Sequence, residues 1–102
     1  LNMALDEALL RVGRVPTLRL YGWERPTLSL GHFQPAALAG EFARQGLTVV
    51  RRSTGGGAIV HDCEVTYSIL LPLNHPWIAA ADTRATYALL HEPVQEALAA
   101  SE

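Results

Sequence analysis

The chemistry of this chain is concentrated in one stretch, Arg51-Arg52-Ser53-Thr54-Gly55-Gly56-Gly57-Ala58-Ile59-Val60-His61-Asp62. Two arginines enter a run of three glycines, and a histidine leaves it. Consecutive glycines are costly in chain entropy. They are useful where backbone must pass close to a ligand, because no Cβ blocks the approach, and the N–H groups of such a loop can point at an anion. An arginine fork suits a carboxylate or phosphate, to which it donates two parallel hydrogen bonds. The pattern therefore suggests a site for an anionic or carboxyl-bearing group.

Strand geometry limits which arginine takes part. Successive side chains of a strand point to opposite faces, so Arg51 and Arg52 cannot both face one site. Arg52 shares a face with Val50 and Thr48, and Arg51 shares one with Val49 and Leu47. Periodicity alone does not choose between them; Arg52 is the expected ligand-facing member. The common phosphate motifs do not fit. A Walker A loop ends in Gly-Lys-Ser/Thr, and the chain has no lysine, all eight basic residues being arginine. The Rossmann pattern needs a third glycine where Val60 stands, and a helix where strand pattern follows.

The other reactive residues read blandly. His61 alone is more often a hydrogen-bonded structural histidine than a catalyst, and the glycines alone could mark a tight connection. Cys63 is expected to be a buried or half-buried small residue. His32, His75 and His91 lack metal-ligand spacing, so no metal site is expected. Asp62 is expected to anchor a turn. Trp23, Phe33 and Trp77 read as core or rim packing, and Asp6 and Glu7 as helix-dipole and solubility residues.

These residues need elements to position them. Asn2 is a candidate cap for a helix whose apolar face is Leu5, Ala8, Leu9 and Val12, with a stop at Gly13. Thr17 to Tyr21 and Thr27 to Leu30 alternate like strands around Arg25-Pro26 and read together as a hairpin. Ala36 to Arg44 reads as a short helix ended by Gly46. Leu47 to Arg52, Ala58 to His61 and Val65 to Leu71 read as three more strands. Leu73 to Ala81 is expected to be a loop. Thr83 to Ala100 is helical, with Tyr87, Leu90, Val94, Ala97 and Leu98 as a buried stripe and a kink or break at Pro93. The order suggests an α+β fold with a mixed or mostly antiparallel sheet flanked by helices.

Composition sets wider bounds. The 102 residues allow at most one domain. A formal net charge of −2 gives no support for nucleic-acid or anionic-membrane partners. No apolar run approaches the ~18 residues of a membrane span. A single cysteine excludes an intrachain disulfide and fits a reducing, cytoplasmic setting. The chain does not begin with Met and ends without a clear stop signal, so it reads as a fragment of marginal stability when isolated, with a sheet edge exposed.

The long glycine signature resembles that of the lipoate–protein ligase and octanoyltransferase family, relatives of the biotin–protein ligases. Asn2-Met3-Ala4-Leu5-Asp6-Glu7 resembles the family's opening helix. Pro16 to Gln34, with Tyr21-Gly22-Trp23 and Thr27-Leu28-Ser29-Leu30-Gly31, resembles its first hairpin. Glu64-Val65-Thr66-Tyr67-Ser68 resembles the strand after the signature. The resemblance implies that residues 1–102 are the N-terminal portion of one catalytic domain of biotin/lipoate-ligase type. It implies protein lipoylation, with an acyl group passed to a lysine of an acceptor lipoyl domain, in 2-oxoacid dehydrogenases or the glycine cleavage protein. In the transferase branch, octanoyl comes from acyl carrier protein through a cysteine thioester. In the ligase branch, ATP, with magnesium, and lipoate form a lipoyl-adenylate. No permanently bound cofactor is implied in either. Both branches use an apolar acyl slot beside the glycine loop.

By position in the motif, Arg52, Thr54, Gly55, Gly56, Gly57 and His61 are implied to line the substrate site. The resemblance also implies that Phe33 and Gln34 fall in a loop near the slot. The family's essential lysine and the transferase cysteine lie beyond this chain, and Cys63 does not match the latter. The triple glycine is at home among the ligases, while the hairpin and the strand from Glu64 lean toward octanoyltransferase. A non-catalytic acyl-binding subunit is the alternative from another class. The arginine-rich glycine motif of biotin ligases is absent.

Overall fold

The computed structural model describes residues 1–78 and 82–101. Residues 79–81, the end of the loop expected up to Ala81, lie outside them. Three helices, α1 (Asn2–Val12), α2 (Ala37–Arg44) and α3 (Thr83–Ala100), accompany five strands, β1 (Thr17–Tyr21), β2 (Thr27–Leu30), β3 (Thr48–Arg51), β4 (Ile59–His61) and β5 (Thr66–Leu70). The α+β class and the element positions match the sequence expectation. None of the described helices is long and apolar enough to cross a membrane.

Strand pairing departs from that expectation. β1 and β2 do not form a hairpin. β1 pairs antiparallel with β5, from Thr17 opposite Leu70 to Tyr21 opposite Thr66. β2 is the centre of a second sheet of order β3-β2-β4. It runs parallel to β3, with Thr27 opposite Thr48 and Leu30 opposite Arg51, and antiparallel to β4, with Thr27 opposite His61. Parallel neighbours need a crossover, and α2 lies within the one that joins β2 to β3. Pro26, just before β2, has no N–H with which to extend a ladder back toward β1.

The core sits on β2, where all four residues are buried. Leu28 and Leu30 are the buried hydrophobics among the described residues. Leu18 and Leu20 of β1 and Tyr87 and Leu98 of α3 are largely exposed. The stripe expected to bury α3 is thus corrected: Leu90 and Val94 are half-buried, and Ala97 is exposed with Tyr87 and Leu98. Helical periodicity marks a face able to be buried; whether another element covers it is decided elsewhere. α3 also passes through Pro93 without a break. Its N-terminus is capped by Asp82, whose carboxylate accepts from the amides of Arg84 and Ala85.

α1 is fastened by polar contacts. Asn2 is not a cap; it is the first helical residue, and its side chain donates to the Gly22 carbonyl and accepts from Arg19. Asp6 is more than a dipole residue. Its carboxylate accepts from Arg19, from the Tyr21 hydroxyl at 3.1 Å and from Ser68 Oγ at 2.8 Å, tying α1 to both β1 and β5. Asp6 and Arg19 are both mostly buried. Removing one partner of such a pair leaves an uncompensated charge, so Asp6→Ala should cost roughly 3 kcal/mol in urea unfolding of the full-length gene product. A cost near that of an ordinary surface substitution would contradict this role.

Burial, and then the neighbouring Asp6 carboxylate, push the Tyr21 phenol up to about 12. The unfolded phenol titrates near 10, so the native state binds more protons between those values. This contribution is fully present below about pH 10 and is lost as pH rises toward about 12. Thermal melts across that window should fall less steeply with pH in Tyr21→Phe than in wild type.

Candidate acyl-binding loop

The glycine loop joins β3 to β4 and lies at the C-terminal end of β2. The Arg52 amide donates to the Leu30 carbonyl at 2.8 Å, continuing the parallel ladder, and the His32 amide donates to the Thr54 carbonyl at 2.8 Å. The two arginines then diverge, as strand alternation requires. Arg51 sends one guanidinium nitrogen to the carbonyls of Gly31, His32 and Gln34, at 2.8–3.1 Å. It thereby holds the 31–34 turn, which Gln34 closes by accepting from the Gly31 amide at 2.9 Å. Phe33 beside it is 87% exposed.

Arg52 works on the other face. Nη1 donates to the Ser29 carbonyl at 2.9 Å and to Ser29 Oγ at 2.7 Å. Nη2 donates to the carbonyls of Gly55 at 3.1 Å and Gly57 at 2.8 Å. A guanidinium has five N–H donors, so these four contacts leave only the Nε donor. The fork expected to hold a ligand is used chiefly to hold the loop. That sets the direction of the loop's amides. All its peptide bonds are trans, and in a trans peptide N–H and C=O point opposite ways. With the Gly55 carbonyl drawn to Arg52, the Gly56 N–H is turned away from it. The Gly56 carbonyl packs on Gly31, so the Gly57 N–H is turned away from Gly31. Gly56 takes φ +99°, a region that favours glycine. Among the described residues no protein oxygen accepts from the amides of Gly55, Gly56 or Gly57. The loop thus carries three backbone donors with no protein acceptor among the described residues, the kind of group that electrostatic stabilisation of an oxyanion uses.

His61 reaches this cluster from β4. It is 6% exposed. One ring nitrogen, Nε2, lies 2.8 Å from Ser29 Oγ, and the other, Nδ1, lies 2.7 Å from Glu64 Oε1. Its ring stacks on Trp23 at 4.2 Å, and Trp23 Nε1 donates to Thr66 Oγ1 at 2.8 Å, joining the two sheets. Arg52 and His61 therefore meet at Ser29. Thr54 is exposed and joins the site through its carbonyl. Cys63 is exposed, not buried as expected, because it lies in the short connection between β4 and β5. A cavity of about 350 Å³ opens on the same face of the sheet. It lies at the start of β2 and β3, lined by Met3, Trp23, Thr27, Thr48 and Val50 among others, rather than at the glycine loop.

Ser29, Glu64 and Trp23 complete this cluster, and the sequence pattern marks none of them as a site residue. Ser29 is one small polar residue in an alternating strand. Glu64, three residues after His61, was the readable signal, since that spacing lets a carboxylate fold back onto the ring.

β2 and β3 thus form the parallel pair of a small mixed sheet, with an arginine-clamped glycine loop at its end. The chain belongs to the lipoyl protein ligase A/B catalytic domain family, which it matches over residues 1–102. It is 50% identical over 82 residues to an octanoyltransferase LipM of Carboxydothermus hydrogenoformans, covering 74% of this chain and 30% of the relative. It is 43% identical over 102 residues to that of Geobacillus kaustophilus, covering 93% and 36%. The chain thus spans about a third of the length of the curated relatives it matches. Among solved structures it resembles a lipoate-protein ligase A bound with ATP, at 34% identity and a TM-score of 0.56, over 66% of this chain and 30% of that one. It also resembles a bipartite lipoate protein ligase of Thermoplasma acidophilum, described with its E2 lipoyl domain. There the identity is 33% and the TM-score 0.57, over 67% of this chain and 29% of that one.

Proposed function

We propose that the full-length protein transfers an octanoyl group from acyl carrier protein to a lysine of an acceptor lipoyl domain, and that residues 1–102 form the N-terminal part of its catalytic domain. The observation that carries this reading is the 42–50% identity to relatives named octanoyltransferase. In this reading Thr54, Gly55, Gly56 and Gly57 line the substrate site, and Arg52 and His61 support it from behind. The free amides of Gly56 and Gly57 receive the acyl carbonyl oxygen as it gains charge, and Arg52 fixes them in place.

A second reading, ATP-dependent attachment of lipoate, is favoured by the likeness to a ligase structure bound with ATP. The lipoyl-domain acceptor common to both readings is supported by the structure described with its E2 lipoyl domain. The two are separated by the intact mass of an apo lipoyl domain incubated with the full-length gene product. One reaction holds octanoyl–acyl carrier protein without ATP; the other holds free lipoate with ATP and magnesium. An octanoyl shift in the first alone establishes the transferase, and a lipoyl shift in the second alone establishes the ligase. No shift from folded protein would favour a non-catalytic acyl-binding subunit.

A further inference from the structure

We propose that Ser29 and Glu64 are positioning residues, which with His61 form a directional hydrogen-bond relay that holds Arg52, and through it the glycine loop, in the amide-presenting conformation. The proposal rests on the reading of that loop as the acyl site, and it adds two residues and a protonation state to it.

The direction follows from counting protons. Arg52 can only donate, so Ser29 Oγ accepts from it at 2.7 Å. Ser29 is 0% exposed, so water cannot serve its hydroxyl. The one acceptor within hydrogen-bonding distance of that hydroxyl among the described residues is His61 Nε2, at 2.8 Å. Ser29 therefore donates to Nε2, which must carry no proton. The ring proton then sits on Nδ1, where it is donated to Glu64 Oε1 at 2.7 Å. The relay runs from Arg52 to Ser29 to His61 to Glu64, and every buried donor in it has a partner, as a buried polar network requires. Trp23 stacks flat on the imidazole, with 15° between the planes, and fixes the ring orientation in which both nitrogens reach their partners.

Serine, histidine and carboxylate in this order also describe a nucleophilic triad. Burial excludes that role. No substrate atom can reach Ser29 Oγ, whose proton is engaged by His61 and one of whose lone pairs accepts from Arg52. The same burial makes His61 a positioning group here, acting on the loop through Ser29 and Arg52.

Glu64 is the member to test, because its side chain is 41% exposed and its truncation leaves the core intact. In the full-length protein labelled with 15N-histidine, the His61 resonance, assigned by its loss in His61→Gln, should show the neutral ring protonated at Nδ1. Glu64→Ala should weaken the hold on the Nδ1 proton and lower kcat/KM for octanoyl transfer about tenfold, the effect of losing one charge-assisted hydrogen bond. Glu64→Gln, whose amide oxygen still accepts from Nδ1–H, should restore most of it. A wild-type ring protonated at Nε2 would overturn the relay. So would a Glu64→Ala protein with unchanged kcat/KM, or equal losses in the two variants. If the wild-type protein moves no acyl group, the transferase reading falls, and the tautomer result still decides the relay.

Discussion

Arg52→Ala in the full-length protein should lower kcat/KM for acyl transfer by on the order of 10²–10³-fold, the scale seen when oxyanion stabilisation is lost. The reason is geometric. The guanidinium bridges Ser29 on the central strand to the carbonyls of Gly55 and Gly57. Without it these carbonyls lose their partner, and nothing turns the Gly56 amide outward. Arg52→Lys should recover little, because a single ammonium cannot span both ends of that bridge. Arg51→Ala should fall only about tenfold, since it releases the 31–34 turn through lost backbone hydrogen bonds. Steady-state kinetics on the three variants, with circular dichroism to confirm folding, makes the comparison. Equal losses from Arg51→Ala and Arg52→Ala would refute the assignment of the two side chains to different faces.

Gly31→Ala is the second large effect expected, and it contains no change in charge. A Cβ at Gly31 would lie 2.0 Å from the Gly56 carbonyl oxygen and 2.9 Å from its carbon. The tightest ordinary carbon–oxygen contacts are about 3.3 Å, so the loop would have to retreat by more than about 1 Å. Displacement of that size at reacting atoms costs about 10²-fold in rate. The obstacle is backbone on both sides, so no rotamer change relieves it, and overpacking adds about 1–3 kcal/mol of destabilisation. Gly40→Ala is the matched control, since a Cβ there meets nothing within 4 Å. Activity and unfolding midpoint should stay near wild type in the control, while both fall in Gly31→Ala. A Gly31→Ala protein with near wild-type kcat/KM would show that the loop relaxes freely, or that it is not where the acyl group binds.

Both effects depend on the loop being held rather than merely flexible. A run of three glycines has no conformational preference of its own. Here each neighbour removes some of that freedom. Arg52 takes two carbonyls, Gly31 packs on a third, and the His32 amide holds Thr54. The relay through Ser29, His61 and Glu64 braces Arg52 from behind. Fixed dipoles need no reorganisation when charge develops, which is what gives such donors their effect on rate.

Much of this was legible in the residues. Alternating or glycine-bounded runs placed the strands and helices, because those signals are local. The opposite placement of Arg51 and Arg52 followed from strand pleating alone, and the signature from Arg51 to Asp62 pointed to the family. The choice of partners was not legible. Thr17 to Tyr21 and Thr27 to Leu30 are close in sequence, yet each pairs with a distant strand. Pairing is decided by which edges the crossover through α2 and the connection from β4 to β5 bring together. Local pattern carries no record of that choice.

The polar interior was hidden for the same reason. Ser29, His61 and Thr27 are buried on one face of the second sheet only because Trp23 and the neighbouring strands lie around them. Asp6, which reads as a solvated helix residue, became the link between α1 and two strands once Arg19, Tyr21 and Ser68 were placed beside it. Sequence by itself determined that the glycine signature is the candidate site and which elements would carry it. Tertiary structure alone decided that Arg52 spends its donors on the loop and that Ser29 and Glu64 stand behind it. A hydrogen bond between strands depends on register and burial, and neither exists until the sheet is assembled.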